Sequence, residues 1–310
     1  MFGRPTVTEQ LASSGSQEER FVGSTLSDYW ALTKPEVNSL ILITTGVGFY
    51  LACANEARPL SFVALVNTLL GTLLVASGTG TLNQYIERRF DAKMRRTAQR
   101  PAAAGRLKPA AVLAFGITLA AAGTLYLAAA ANLLASALAA LTLLTYLFLY
   151  TPLKRKTAVC VLVGAFPGAM PPLIGWAGAS GRLSIEAAIL YTIVFLWQFP
   201  HFMAIAWMYR EDYDRAGYLV LPRGETRVPF VILETILPLI VLIGCSVVQF
   251  PARHAAVYYC SAVLLGFGFL YFGWEFSLRR SRAAARRLLA ASIIYLPLLL
   301  GLSATLCSRV

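Results

Sequence analysis

LSFVALVNTLLGTLLVASGTGTLNQYIERRFDAKMRRTAQRP, residues 60–101, joins a charge-free apolar run to a segment crowded with acids, amides and bases. The apolar part, 60–82, is long enough to cross a bilayer as a helix. Comparable windows recur at 37–53, 109–130, 133–150, 158–177, 185–208, 228–250, 255–276 and 288–307, with Ala131-Asn132 as the only break between the third and fourth helices. Hydrophobic residues make up 57% of the 310-residue chain and charged residues 14%. This pattern predicts an all-α polytopic membrane protein: about nine transmembrane helices in a bundle, with a central cavity opening to the cytoplasmic side.

The first 27 residues are rich in Ser, Gly, Gln and Glu and lack the apolar core of a signal peptide; they are expected to form a disordered cytoplasmic tail ahead of one membrane domain, 28–310. Cys53, Cys160, Cys245, Cys260 and Cys307 lie in or beside apolar spans without a Cys-x-x-Cys pair, which argues against a metal–thiolate site.

A net charge of +12 is less a sign of a nucleic-acid partner than of topology. With the N-terminus inside, 23 of the 27 Lys and Arg residues fall on that side, and only Arg58, Arg182, Arg253 and Arg309 fall on the other. This bias predicts a cytoplasmic N-terminus and an outside C-terminus, and it accounts fully for the basic run at 279–287.

Two polar clusters then stand on the same membrane face. In the first, Asn83, Glu87 and Asp91 fall within about 80° of one helix surface, a stripe of oxygen donors suited to a hard cation such as Mg²⁺. Ion pairing with neighbouring arginines on a solvated helix end is the blander reading. The second cluster, YREDYDRAG at 209–217, follows the sixth helix, so the two resemble the ends of an internal repeat that converge on a metal–diphosphate site. There Glu211 and Asp212 are candidate ligands, and Tyr209 and Tyr213 are candidate phosphate donors; Asp214 is expected to be solvated. Lys154 and Arg155 add cations suited to phosphate at the same face, although topology alone accounts for them equally well.

A diphosphate site at the mouth of an apolar bundle fits a prenyl diphosphate, its head at the interface and its tail in the membrane. Deeper in the sixth helix, LWQFPHFMAIAWMYRED at 196–212 carries Trp197, Gln198 and His201. On an ideal helix these share a face with Asp212, and His201 lies roughly 16 Å below it. They are candidates for the acceptor pocket, because intramembrane polar groups mark substrate paths; a core histidine bonded to a neighbouring helix is the alternative.

These residues resemble the UbiA-type intramembrane prenyltransferases, and among them the protohaem IX farnesyltransferases. The resemblance rests on TKP at 33–35, N-x-x-x-E-x-x-x-D at 83–91 running into M-x-R-T-x-x-R-P at 94–101, YTPLKR at 150–155, WQFPHF at 197–202 and YREDYDRAG at 209–217. It implies Mg²⁺ as cofactor, farnesyl diphosphate and haem b as substrates and haem O as product. It also implies Asn83, Glu87, Asp91 and Asp212, with Glu211, at the metal and Lys154 and Arg155 at the diphosphate. A cell inner membrane location and haem-pathway or terminal-oxidase assembly partners follow from the same likeness. Asp214 stands where a small residue is expected, and LVLP at 219–222 lacks the usual Pro-Met before Leu-Pro. Two other functions compete: prenyl transfer to a quinone precursor or other aromatic acceptor, and membrane transport. The short, nearly uncharged outside loops disfavour transport.

Overall fold

The computed structural model describes residues 25–248 and 254–306, so the expected tail lies outside the described residues except for its last three, which are helical within 25–32. Among the described residues there are no strands, and nine helices are long and apolar enough to cross a membrane. We label them α1 (Pro35–Asn55), α2 (Phe62–Asp91), α3 (Pro109–Ala130), α4 (Leu133–Leu153), α5 (Cys160–Ser180), α6 (Ile185–Met208), α7 (Arg227–Val248), α8 (Ala255–Arg279) and α9 (Arg282–Leu306). The break at Ala131-Asn132 is real: Asn132 caps α4 by accepting from the Ala135 N–H at 2.9 Å.

The solvent pattern is inverted, as lipid requires. Large apolar side chains such as Leu125, Phe148, Leu264 and Trp274 face outward, while Asn38, Ser77, Thr81 and Gln84 are buried. The buried amides bridge elements: Asn38 donates to Ser77 Oγ at 2.8 Å and Gln84 to the Leu32 carbonyl at 3.0 Å. Helices α1, α2, α3 and α5 pack on one side of the bundle, and α6, α7, α8 and α9 on the other. Contact between α1 and α5 needs glycine, since a Cβ on Gly175 would run into the Thr45 carbonyl and one on Gly48 into that of Pro172.

Three departures from regular helix build the polar end. At 30 residues, α2 is about 45 Å long, so it carries Asn83, Glu87 and Asp91 in its last turns rather than in a loop. In α4, Thr145–Tyr150 widens into a π turn just before Pro152, which has no N–H to donate. Finally, α6 stops at Met208: Tyr209 leaves helical geometry at φ −109°, and a short helix, Arg210–Ala216, turns off and closes on Gly217 at φ 78°. The continuous helix assumed between His201 and Asp212 is therefore corrected to two segments, so a depth reckoned along one straight helix no longer applies.

Candidate active site

Each member of the acidic stripe is buried and meets a cation from a different segment. Lys34, which precedes α1, donates to Asn83 Oδ1 at 2.9 Å. Lys154, which follows α4, donates to Glu87 Oε1 at 2.9 Å, and Arg100, in the loop after α2, donates to Asp91 Oδ2 at 2.9 Å. Asn83, Glu87 and Asp91 retain only 1%, 5% and 1% of their exposure, so the pairs sit in a low-dielectric setting. The π turn helps orient them, since Thr151 Oγ1 donates to the Tyr146 carbonyl and accepts from Asn83 Nδ2 at 3.3 Å.

Electrostatics divides the two lysines. Burial lowers the pKa of Lys34 to about 7, aided by the Arg100 charge. Burial also works against Lys154, but the Glu87 charge and hydrogen bond, joined by Tyr150 and Tyr146, together outweigh it and hold that ammonium well above the usual lysine range. Lys34 also sits in left-handed backbone, φ 55°, ahead of Pro35, a strained conformation that aims its side chain at Asn83.

A cavity of about 170 Å³ opens beside this row, lined by Lys34, Asn83, Arg100, Lys154, Tyr146 and Tyr150 on its polar side and by Val161, Phe202, Ile205 and Ala206 on its apolar side. Arg96, Tyr213 and Tyr218 line it as well. The Tyr218 hydroxyl is buried with no partner in hydrogen-bond geometry, and burial, together with Glu87 close by, pushes the phenol up, so it stays protonated. Asp91 Oδ1 is likewise buried with no partner. A buried carboxylate oxygen left without a partner is one that a hard cation would satisfy. Among the described residues no three His, Cys, Asp or Glu side chains converge as in an all-protein metal cage.

The second cluster reaches the first through the loop after α2. Asp212 is buried, accepting from the Arg96 N–H at 3.3 Å and from Arg215 Nη1 at 3.0 Å. Tyr213 accepts from Arg96 Nη2 at 3.2 Å, and Tyr209 lies under the same guanidinium at 4.6 Å. Glu211 points outward with a 71% exposed side chain, its nearest cation being Arg210 at 3.7 Å. Asp214 pairs loosely with Arg227 at 3.4 Å.

Several expected members lie elsewhere. Arg155 is exposed, its guanidinium 4.9 Å over the Phe90 ring and not among the residues lining the cavity. Gln198 is buried and donates to the Ala165 carbonyl of α5 at 3.1 Å. Trp197 and His201 face α9: Trp197 Nε1 donates to the Ser292 carbonyl at 2.8 Å, and His201 Nδ1 lies 2.8 Å from Ser292 Oγ. Ser292 Oγ also lies 2.6 Å from the Leu289 carbonyl, and in the arrangement where it donates there His201 Nδ1 donates to it. Missed in the sequence reading were Lys34, Arg100, Tyr146 and Tyr218. Lys34 and Arg100 stood inside quoted motifs, TKP and R-T-x-x-R-P; no local signal marked the tyrosines.

Residues 41–296 match the model of the UbiA prenyltransferase family. The chain is 46% identical to the protoheme IX farnesyltransferase of Solibacter usitatus, covering 89% of this chain and 97% of that protein. It is 40% identical to that of Koribacter versatilis, over 90% and 92%. Among solved structures it resembles a digeranylgeranylglyceryl phosphate synthase (TM-score 0.72, 15% identity, 93% of this chain and 100% of the other). It also resembles a UbiA homolog from Archaeoglobus fulgidus bound to GPP and Mg²⁺ (TM-score 0.61, 14% identity, 89% and 99%).

Proposed function

This chain belongs to the UbiA prenyltransferase family, and from that premise we propose that it transfers the farnesyl group of farnesyl diphosphate to a vinyl group of haem b, with addition of water, to give haem O. It is an integral membrane prenyltransferase; we place it in a bacterial inner membrane with its N-terminus in the cytoplasm, following its positive-inside bias. The observation that carries the reading is the buried row in which Asn83, Glu87 and Asp91 each hold a cation beside a cavity with an apolar wall.

Lys34, Lys154 and Arg100 are the donors that bind the diphosphate, and Tyr218 adds a neutral one. When the allylic C–O bond breaks, negative charge moves onto the departing diphosphate, and these preset donors stabilise it without reorganising. Asn83, Glu87, Asp91 and Asp212 would hold Mg²⁺, which supplies further neutralisation of the leaving group when bound. Val161, Phe202, Ile205 and Ala206 take the prenyl chain and shield the allylic cation from water until the vinyl carbon attacks. No protein nucleophile is needed. The chain's part is to bind, orient and exclude water, and water captures the final cation to leave the hydroxyethylfarnesyl arm.

The test is direct. Purified protein incubated with haem b, farnesyl diphosphate and Mg²⁺ should yield hydroxyethylfarnesyl haem by mass spectrometry. A prenylated quinone precursor, with haem left unchanged in a parallel reaction, would overturn the assignment.

A further inference from the structure

At the polar end, outside the diphosphate cavity, lies a second cleft of about 370 Å³ lined by Arg95, Arg96, Arg215 and Arg282 together with Glu211, Asp212, Met208 and Tyr209. Four guanidiniums face two carboxylates, an excess of two positive charges in one concave site. The positive-inside rule asks only that such charges lie on one side of the membrane; it does not ask them to converge. Here they come from three separate places: the loop after α2, the short helix Arg210–Ala216 and the first turn of α9. Three of the four are also held in place. Arg96 rests on Tyr209 at 4.6 Å, Arg215 is anchored on Asp212 at 3.0 Å, and Arg282 donates to the Met208 carbonyl at 3.4 Å. Arg282, from the basic run 279–287, thus lines this cleft.

Arg96 lines both this cleft and the diphosphate cavity, so the two are neighbours across one side chain. A ligand of the cleft therefore has an anionic end carrying two charges and an apolar body adjoining Met208 and Tyr209. Resting on the functional reading above, we propose that Arg95, Arg215 and Arg282 bind the two propionate carboxylates of haem b, fixing which edge of the macrocycle is presented to the farnesyl group. Forked guanidinium–carboxylate pairing gives this orientation, which a point charge would not.

The test uses full-length protein in vesicles of neutral phosphatidylcholine. KM is measured for haem b, for haem b dimethyl ester and for farnesyl diphosphate, in wild type, R95Q/R282Q and R95K/R282K. Neither substituted residue touches Asp212, so the proposed metal ligands stay in place. The Gln variant should raise the haem KM about tenfold and leave the farnesyl diphosphate KM unchanged, which also reports an intact fold. The Lys variant should recover only part of that loss. The ester should be a poor substrate for wild type and no worse for the Gln variant. An unchanged haem KM, an equal rise for haem and ester, or a defect that appears only after anionic lipid is added would overturn the proposal, the last by assigning the cleft to lipid headgroups. Wild-type protein that makes no farnesylated haem at all would instead sink the functional reading, and this inference with it.

Discussion

Lys154 Nζ donates to Glu87 Oε1 at 2.9 Å, with both side chains nearly buried and 67 residues apart in the chain. The contact locks the end of α4 to the last turns of α2. It also means that each proposed anion-binding cation is already occupied by a carboxylate or amide. Binding of a metal–diphosphate would have to release these contacts beforehand, so that the cations are free for phosphate and Asn83, Glu87 and Asp91 are free to hold an ion when the C–O bond breaks.

Removing one partner of this pair leaves the other charge buried and unpaired. K154Q should lower stability by about 3–5 kcal/mol and abolish measurable turnover. The double variant E87Q/K154Q should regain most of the stability while remaining inactive. Thermal unfolding in detergent, read beside activity, checks this. R155Q provides the contrast: with its guanidinium exposed over Phe90, it should lose less than about threefold in turnover, the size expected of an exposed contact.

Asp91 and Asp212 are proposed metal ligands, and Asp91 Oδ1 is the buried oxygen without a partner. D91N and D212N should each cost at least about a hundredfold in turnover while nearly preserving side-chain volume. D214N, altering a loose pair at 3.4 Å, should remain near normal. A Mg²⁺ titration of each variant decides the point, and wild-type rates in D91N at saturating Mg²⁺ would refute a shared metal site.

His201 and Trp197 tie α6 to α9 through Ser292. H201A and S292A should each reduce stability by about 1–2 kcal/mol, and together by less than the sum, because they remove the same hydrogen bond. Haem titration and farnesyl diphosphate binding should weaken in parallel. A loss confined to haem would return His201 to the acceptor pocket.

Gly175 tests the fold itself. A methyl group there meets the Thr45 carbonyl of α1, so G175A should destabilise by about 1–3 kcal/mol. Gly244, with open space where its Cβ would stand, should tolerate alanine. Comparing the two by thermal unfolding separates close helix approach from a general cost of replacing glycine.

Hydropathy alone determined the number of helices, their order and the break at Asn132, because burying an unpaired backbone in lipid is costly enough to make every long apolar run a helix. Spacing alone put Asn83, Glu87 and Asp91 on one stripe, because helix geometry is local. The direction a membrane helix faces was another matter. Lipid and protein interior are equally apolar, so a helix such as α6 is hydrophobic all round, and its sequence does not say which side meets a neighbour. Only packing turned His201 and Trp197 toward Ser292 and gave Phe202 and Ile205 to the cavity. Likewise, the turn at Tyr209, the pairing of Lys34 with Asn83 and the meeting of Arg95, Arg215 and Arg282 depend on contacts between residues 49 to 187 positions apart, and no local pattern encodes those.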